Sequence, residues 1–135
     1  MYKNILIAVA LEHDRDISGS IEIAQRLLAD GGKITALHVM EPISGYVEPY
    51  LPEGHRTKRQ TETETALAAA LEGAKDIAPA IVEGHAGRAI VEYADDHGID
   101  CIVIASHRPE FQDYFLGSTA SRVVRHAAAA VHVIR

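Results

Sequence analysis

The sequence predicts one α/β domain built on a doubly wound, parallel β-sheet with helices on both faces, a Rossmann-like architecture. Two observations carry that expectation. Five short runs of branched apolar residues alternate along the 135 residues with segments whose apolar side chains recur every three or four positions. Residues 5–9 (ILIAV) and 101–105 (CIVIA) are apolar throughout, the pattern of strands covered on both faces. Strands that alternate with helices pair in parallel through right-handed crossovers.

Taken in order, residues 5–9 form the first strand. Ile17, Ile21, Ala24 and Leu28 follow at helical spacing, and Gly31-Gly32 is the expected stop of that helix. Residues 33–40 (KITALHVM) read as the second strand, halted by Pro42. Residues 41–56 hold Pro42, Gly45, Pro49, Pro52 and Gly54 and read as a long irregular loop. Thr57-x-x-Gln60 fits a capping box for the second helix, with Thr61-x-x-Glu64 as a rival start. Ala66, Leu67, Ala70, Leu71 and Ala74 supply that helix's apolar face, and Pro79 introduces a short third strand over 80–83.

Gly84 and Gly87 bracket the turn into a third helix, which turns Ile90, Val91 and Ala94 inward and ends at Gly98. The fourth strand is 101–105. A fourth helix over about 118–126 uses Val123, Val124 and Ala127, and the fifth strand is 131–134. The run 127–130 fits a helical extension or a turn equally well.

With 13 Lys and Arg against 19 Asp and Glu, the formal charge is −6 and no basic run occurs. A nucleic-acid partner is therefore not expected, since such binding depends on neutralising phosphates. No apolar stretch approaches the ~20 residues of a membrane span, and the start reads as neither leader nor anchor. The lone Cys101 allows no internal disulfide and sits in an apolar run, which fits a buried side chain and a cytoplasmic location.

In open α/β sheets ligands bind beyond the carboxyl ends of the strands. There the last third concentrates hydrogen-bond donors. Ser106, His107 and Arg108 follow the fourth strand, and Gly117, Ser118 and Thr119 open a helix whose first N–H groups lack partners and favour an anion. Gly117 permits close backbone approach, and Arg108 fits a phosphate through two N–H bonds. A structural alternative stays open: Ser118 caps the helix while His107 and Arg108 decorate a solvated loop.

No dinucleotide glycine fingerprint, P-loop, nucleophile elbow or zinc-protease motif is present. The eight histidines lack metal-ligand spacing, and His38, inside a strand, reads as a satisfied core or edge histidine.

ILIAV, ITALHVM, IVEGHAGRAIVEYADDHGIDCIVIASHRP and YFLGSTASRVVRHAAAAVHVIR together resemble the universal stress protein superfamily, and closest are small single-domain bacterial members with ASHRP. The resemblance covers residues 1–135 as one domain, apart from the variable loop 41–56. It implies strand order 3-2-1-4-5 and a homodimer through the last strand, residues 131–135, from Val131 to Arg135. It also implies ATP or another adenine nucleotide, with Mg²⁺ as an option.

By that resemblance, adenine lies by Ala8, Val9, Ala10, Val39 and Met40, and the phosphates by Ala105, Ser106, His107, Arg108, Gly117, Ser118 and Thr119. The chain departs from the family pattern in places. Ala105 and Arg108 stand where nucleotide-binding members have glycines, the spacer 109–116 is one residue short, and Ala10 replaces a usual Asp. Ala130 stands where Pro is frequent.

Three functions follow. The first is an adenine-nucleotide-binding stress protein. The second is a dimeric interaction module of the same fold that has lost the nucleotide, which the departures favour. The third is a slow ATPase, against which stands the lack of a general base or of a carboxylate pair beside the loop.

Overall fold

The computed structural model describes residues 1–11, 17–106 and 116–135. Its elements run β1 (Tyr2–Ala8), α1 (Ser18–Leu27), β2 (Leu28–Met40), a 3₁₀ turn (Glu48–Tyr50), α2 (His55–Ala70), β3 (Ile77–Glu83), α3 (Ala86–Asp96), β4 (Cys101–Ala105), α4 (Ser118–His126) and β5 (Ala130–Ile134). The five strands form one sheet in the order β3-β2-β1-β4-β5, and every pairing is parallel. The doubly wound expectation holds. The chain builds outward from β1 to β3, then crosses to β4, so the order reverses between β1 and β4.

Alternation along the strands splits the core into two layers. Ile5, Ile7, Cys101 and Val103 pack on one face with Ala24 of α1 and Leu67 of α2. Leu6, Ile102 and Ile104 pack on the other with Ile90 and Ala94 of α3 and Ala120 and Val123 of α4. At ~25 cal/mol per Å² of apolar surface, these fully covered central strands dominate stability.

Several local expectations need correction. Gly31-Gly32 do not stop α1, which ends at Leu27; they lie within β2. There the ladder slips: Tyr2 pairs with Leu28 and Asn4 with Lys33. Gly31 sits at φ +78° in the slipped segment, and a Cβ on Gly32 would fall 2.6 Å from Leu28 Cδ1 and 3.0 Å from the Lys3 carbonyl oxygen. Both glycines serve a bulge.

The Thr57 and Thr61 capping boxes are not used. α2 starts at His55 behind Gly54, at φ +82°, and the Thr61 and Thr63 hydroxyls donate to the carbonyls four residues back. Ala66 is exposed, leaving Leu67 as the buried residue of the helix.

Pro79 lies inside β3 rather than before it, opposite Ala36. Because β3 is an edge strand, its ladder tolerates one missing N–H. Val124 is 45% exposed and does not join the core beside Val123. The ambiguous run resolves with Ala127 capping α4 and Ala130 already in β5.

At the amino-terminal edge the Asp100 carboxylate accepts the Lys3 and Asn4 N–H groups at 2.9 and 3.0 Å. This ties β1 to the entry of β4, far from the strands' carboxyl ends.

Candidate functional site

The carboxyl ends of β2, β1 and β4 and the start of α4 converge where the strand order reverses, the usual ligand position in such sheets. On the α4 side the strand delivers Ser106 into the interior at 3% exposure. Its N–H donates to the Ile134 carbonyl at 2.8 Å, and its carbonyl accepts the Gly117 N–H. That bond brings the start of α4 to the end of β4.

The first intrahelical bond is Ser121 N–H to the Gly117 carbonyl, 2.8 Å. The N–H groups of Ser118, Thr119 and Ala120 therefore precede the helix's own bonding pattern. No acidic side chain lies in that turn, while Arg125 and His126 lie in the last one, both in keeping with the helix dipole.

The N-cap is Gly117 and no side chain caps the helix, so Ser118 is not a cap. Gly117 has φ −57° and ψ 155°, which any residue adopts, so only close approach gives glycine a reason there. His107 and Arg108 lie outside the described residues.

On the β2 side the β1–β2 ladder ends at Ala8 opposite Leu37, with the Val9 N–H donating to the Leu37 carbonyl at 2.8 Å. Backbone groups alternate sides along a strand, so Leu37 and Val39 turn theirs toward β1. Met40 turns toward β3, where its carbonyl accepts the Gly84 N–H at 2.9 Å. Val39 thus presents an N–H donor and a C=O acceptor past the end of the β1 pairing. Ala8 and Ala10, both half-buried, form the small-residue wall of this edge.

His38 is buried at 8% exposure, and its Nδ1 lies 2.8 Å from the Val9 carbonyl oxygen. A carbonyl oxygen can only accept, so Nδ1 carries the proton. The sequence reading of a satisfied core histidine holds. Its place at the strand end was not visible in the sequence, because it depends on the β1–β2 register.

A shallow cleft lined by Met40, Ile43, Arg56, Arg59, Gln60 and Glu83 lies over β2 and β3 and meets the expected site only at Met40. Three of its polar side chains already have partners: Arg59 donates to the Glu41 carbonyl at 2.7 Å, Arg56 pairs with Glu48 at 3.3 Å, and Gln60 donates to Glu64 at 3.1 Å. The convergence of strand ends and helix start is the stronger site.

Burial pushes the Cys101 thiol up from its ordinary 9.0, and the neighbouring Asp100 adds to the shift. The thiol sits at the opposite end of β4 from the site. Among the described residues no helix is long and apolar enough to cross a membrane.

The sequence model of the universal stress protein family matches residues 1–135. Universal stress protein G of Salmonella typhimurium is 32% identical, with both chains covered in full. The structure of universal stress protein UspA from Lactobacillus plantarum superimposes with a TM-score of 0.71 at 27% identity, covering 99% of this chain and 98% of that one.

Hypothetical protein MJ0577 shares the fold with a TM-score of 0.78 at 23% identity, covering 99% and 96%. Solved relatives at 19–20% identity include a universal stress protein in complex with cAMP, one from Archaeoglobus fulgidus in complex with dAMP and one from Arabidopsis thaliana with AMP bound. With its full length matched by one family's sequence model and a curated member 32% identical end to end, this chain belongs to the universal stress protein family.

Proposed function

We propose that the protein binds an adenine nucleotide, ATP or a close analogue, at the reversal of strand order. The observation that carries this reading is the α4 start: three N–H groups ahead of the helical pattern, at the end of β4 and with no acidic side chain in the helix's first turn. The base lies against Ala8, Val9, Ala10, Val39 and Met40, where Val39 offers a donor and an acceptor to a purine edge. The phosphates lie against Ala105, Ser106, His107, Arg108, Gly117, Ser118 and Thr119, with Arg108 supplying the charge. The adenine nucleotides carried by three solved relatives support the same ligand class.

Two further features belong to this reading. β5 is an edge strand whose Ala130 and Ile134 bond toward β4, so alternation turns the Val131 and Val133 backbone groups outward as a template for a second copy. The protein acts as a cytoplasmic homodimer, consistent with its one buried, unpaired cysteine.

One observation favours the second reading, an interaction module without nucleotide. The Gly117 N–H is already committed to the Ser106 carbonyl and adds nothing to a phosphate cradle. Calorimetric titration with ATP, ADP, AMP and adenosine separates the two readings. Saturable binding, lost in Gly117→Val, supports the nucleotide. No heat with any of the four at millimolar concentration supports the module.

A further inference from the structure

The tip of β1 ends one rung earlier than its neighbours require. In a parallel ladder the rung after Val9 N–H to Leu37 C=O is Val39 N–H to Val9 C=O. Among the described residues that rung is not made: the pairing stops at Ala8 opposite Leu37. The Val9 carbonyl instead accepts from His38 Nδ1 at 2.8 Å.

His38 follows Ile34 and Ala36 at two-residue spacing, and both pack on the layer shared with α1 and α2. A bond to its ring therefore draws the Val9 oxygen toward that layer and out of the sheet plane where the rung would lie. The oxygen keeps a second lone pair, but not one aimed at Val39.

We propose that His38 is a positioning residue for the base: by taking the Val9 carbonyl it stops the β1–β2 ladder and leaves the Val39 N–H and C=O to a ligand. This rests on reading the β1–β2 edge as the adenine subsite. The ligand class it serves is a base presenting an adjacent acceptor and donor. The imidazole itself never touches the ligand; it decides whether the strand's own bonding consumes the recognition edge.

The test compares wild type, His38→Leu and His38→Asn. Asn places an amide N–H near where Nδ1 stands, and Leu keeps volume without a donor. The first measurement needs no ligand: backbone amide exchange at Val39 by NMR. Exchange should slow by about tenfold or more in His38→Leu, as the freed carbonyl closes the rung, and stay unchanged in His38→Asn. Equal Val39 exchange in all three proteins overturns the proposal.

If His38→Leu does not fold, the imidazole tautomer of the wild type decides, read from ¹⁵N shifts under mildly alkaline conditions. Protonated Nδ1 supports the proposal, and protonated Nε2 with bare Nδ1 overturns it.

The third measurement is binding. His38→Leu should weaken AMP by about fivefold to tenfold, one hydrogen bond's worth, and leave tripolyphosphate unchanged. Equal weakening of both would assign His38 to general stability and overturn the positioning role. A wild type that binds no AMP defeats the proposed function alone, since exchange and tautomer still test His38.

Discussion

Gly87 gives the packing of α4, and with it the proposed phosphate end of the site, a test whose sign is informative. Gly87 stands in the first turn of α3, buried against α4. A Cβ built on it would lie 2.8 Å from Arg122 Cδ, 3.0 Å from Cβ and 3.2 Å from Cγ. In an open helix, Gly→Ala stabilises by ~0.5–1 kcal/mol. Here that gain meets an overpacking cost of ~1–3 kcal/mol.

The Arg122 Cδ can swing away for ~0.5–1.5 kcal/mol of rotamer energy. Its Cβ can retreat only if α4 moves. The net expectation for Gly87→Ala is a loss of about 1 kcal/mol. For 135 residues, an unfolding entropy of ~2.1 cal/mol/K per residue makes that roughly 3–4 °C in Tm.

Urea unfolding of Gly87→Ala, Arg122→Ala and the double variant forms the assay. Arg122→Ala removes the Cγ and Cδ contacts and keeps the Cβ at 3.0 Å, so Gly87→Ala should cost less there than in the wild type, a coupling of about 0.5 kcal/mol or more. If Gly87→Ala stabilises the wild type by its full helical propensity, the two helices are not in close contact and the reasoning fails. Gly87→Val, with a larger displacement, should also weaken ATP more than adenosine under the proposal that the α4 start carries the phosphate donors.

Leu67→Ala removes the buried anchor of an otherwise polar α2, exposed to 1%, and should cost about 3 kcal/mol, or roughly 10 °C in Tm. The raised Cys101 thiol means the folded state holds its proton more tightly, so its stabilising contribution is complete below pH 9.0 and is lost as pH rises through the higher folded value. Cys101→Ala should therefore show a flatter urea midpoint above pH 9.0 than the wild type; parallel curves would remove the thiol from the account. Val133→Pro deletes an N–H that faces away from β4, so under the proposed β5 pairing the wild type should sediment as a dimer and the variant as a folded monomer; a dimer that survives it does not use β5.

The fold was legible because its strongest signal is periodicity. Residues 5–9 and 101–105 are apolar throughout, and they fell on the interior strands β1 and β4, with Val9 just past the end of β1. Strand order came through resemblance rather than pattern. What misled was punctuation.

Gly31-Gly32 look the same in sequence whether they end a helix or fill a bulge, and only the slip between Tyr2 and Asn4 decides. Pro79 reads as a breaker until its strand is known to lie at the sheet edge. Thr57 and Thr61 match a capping box, yet Gly54 at φ +82° starts α2 earlier and the Thr61 hydroxyl turns back along the helix.

At the site, Gly117 and Ser118 were visible as a helix start following an apolar strand. The Gly117–Ser106 bond was not, because it depends on how the chain returns from β4 to the start of α4, nor was the His38–Val9 bond, which depends on the β1–β2 register.

The central claim is that the α4 start and the β1–β2 edge hold an adenine nucleotide. Denaturing freshly purified protein, assaying the supernatant for nucleotide, and then measuring Tm with added ATP tests it most directly. At a hundred times Kd, ATP should stabilise by about 2.7 kcal/mol, close to 10 °C for a chain of this length. Released adenine nucleotide together with that shift is the predicted result; an empty supernatant and a Tm unmoved by millimolar ATP contradict the claim.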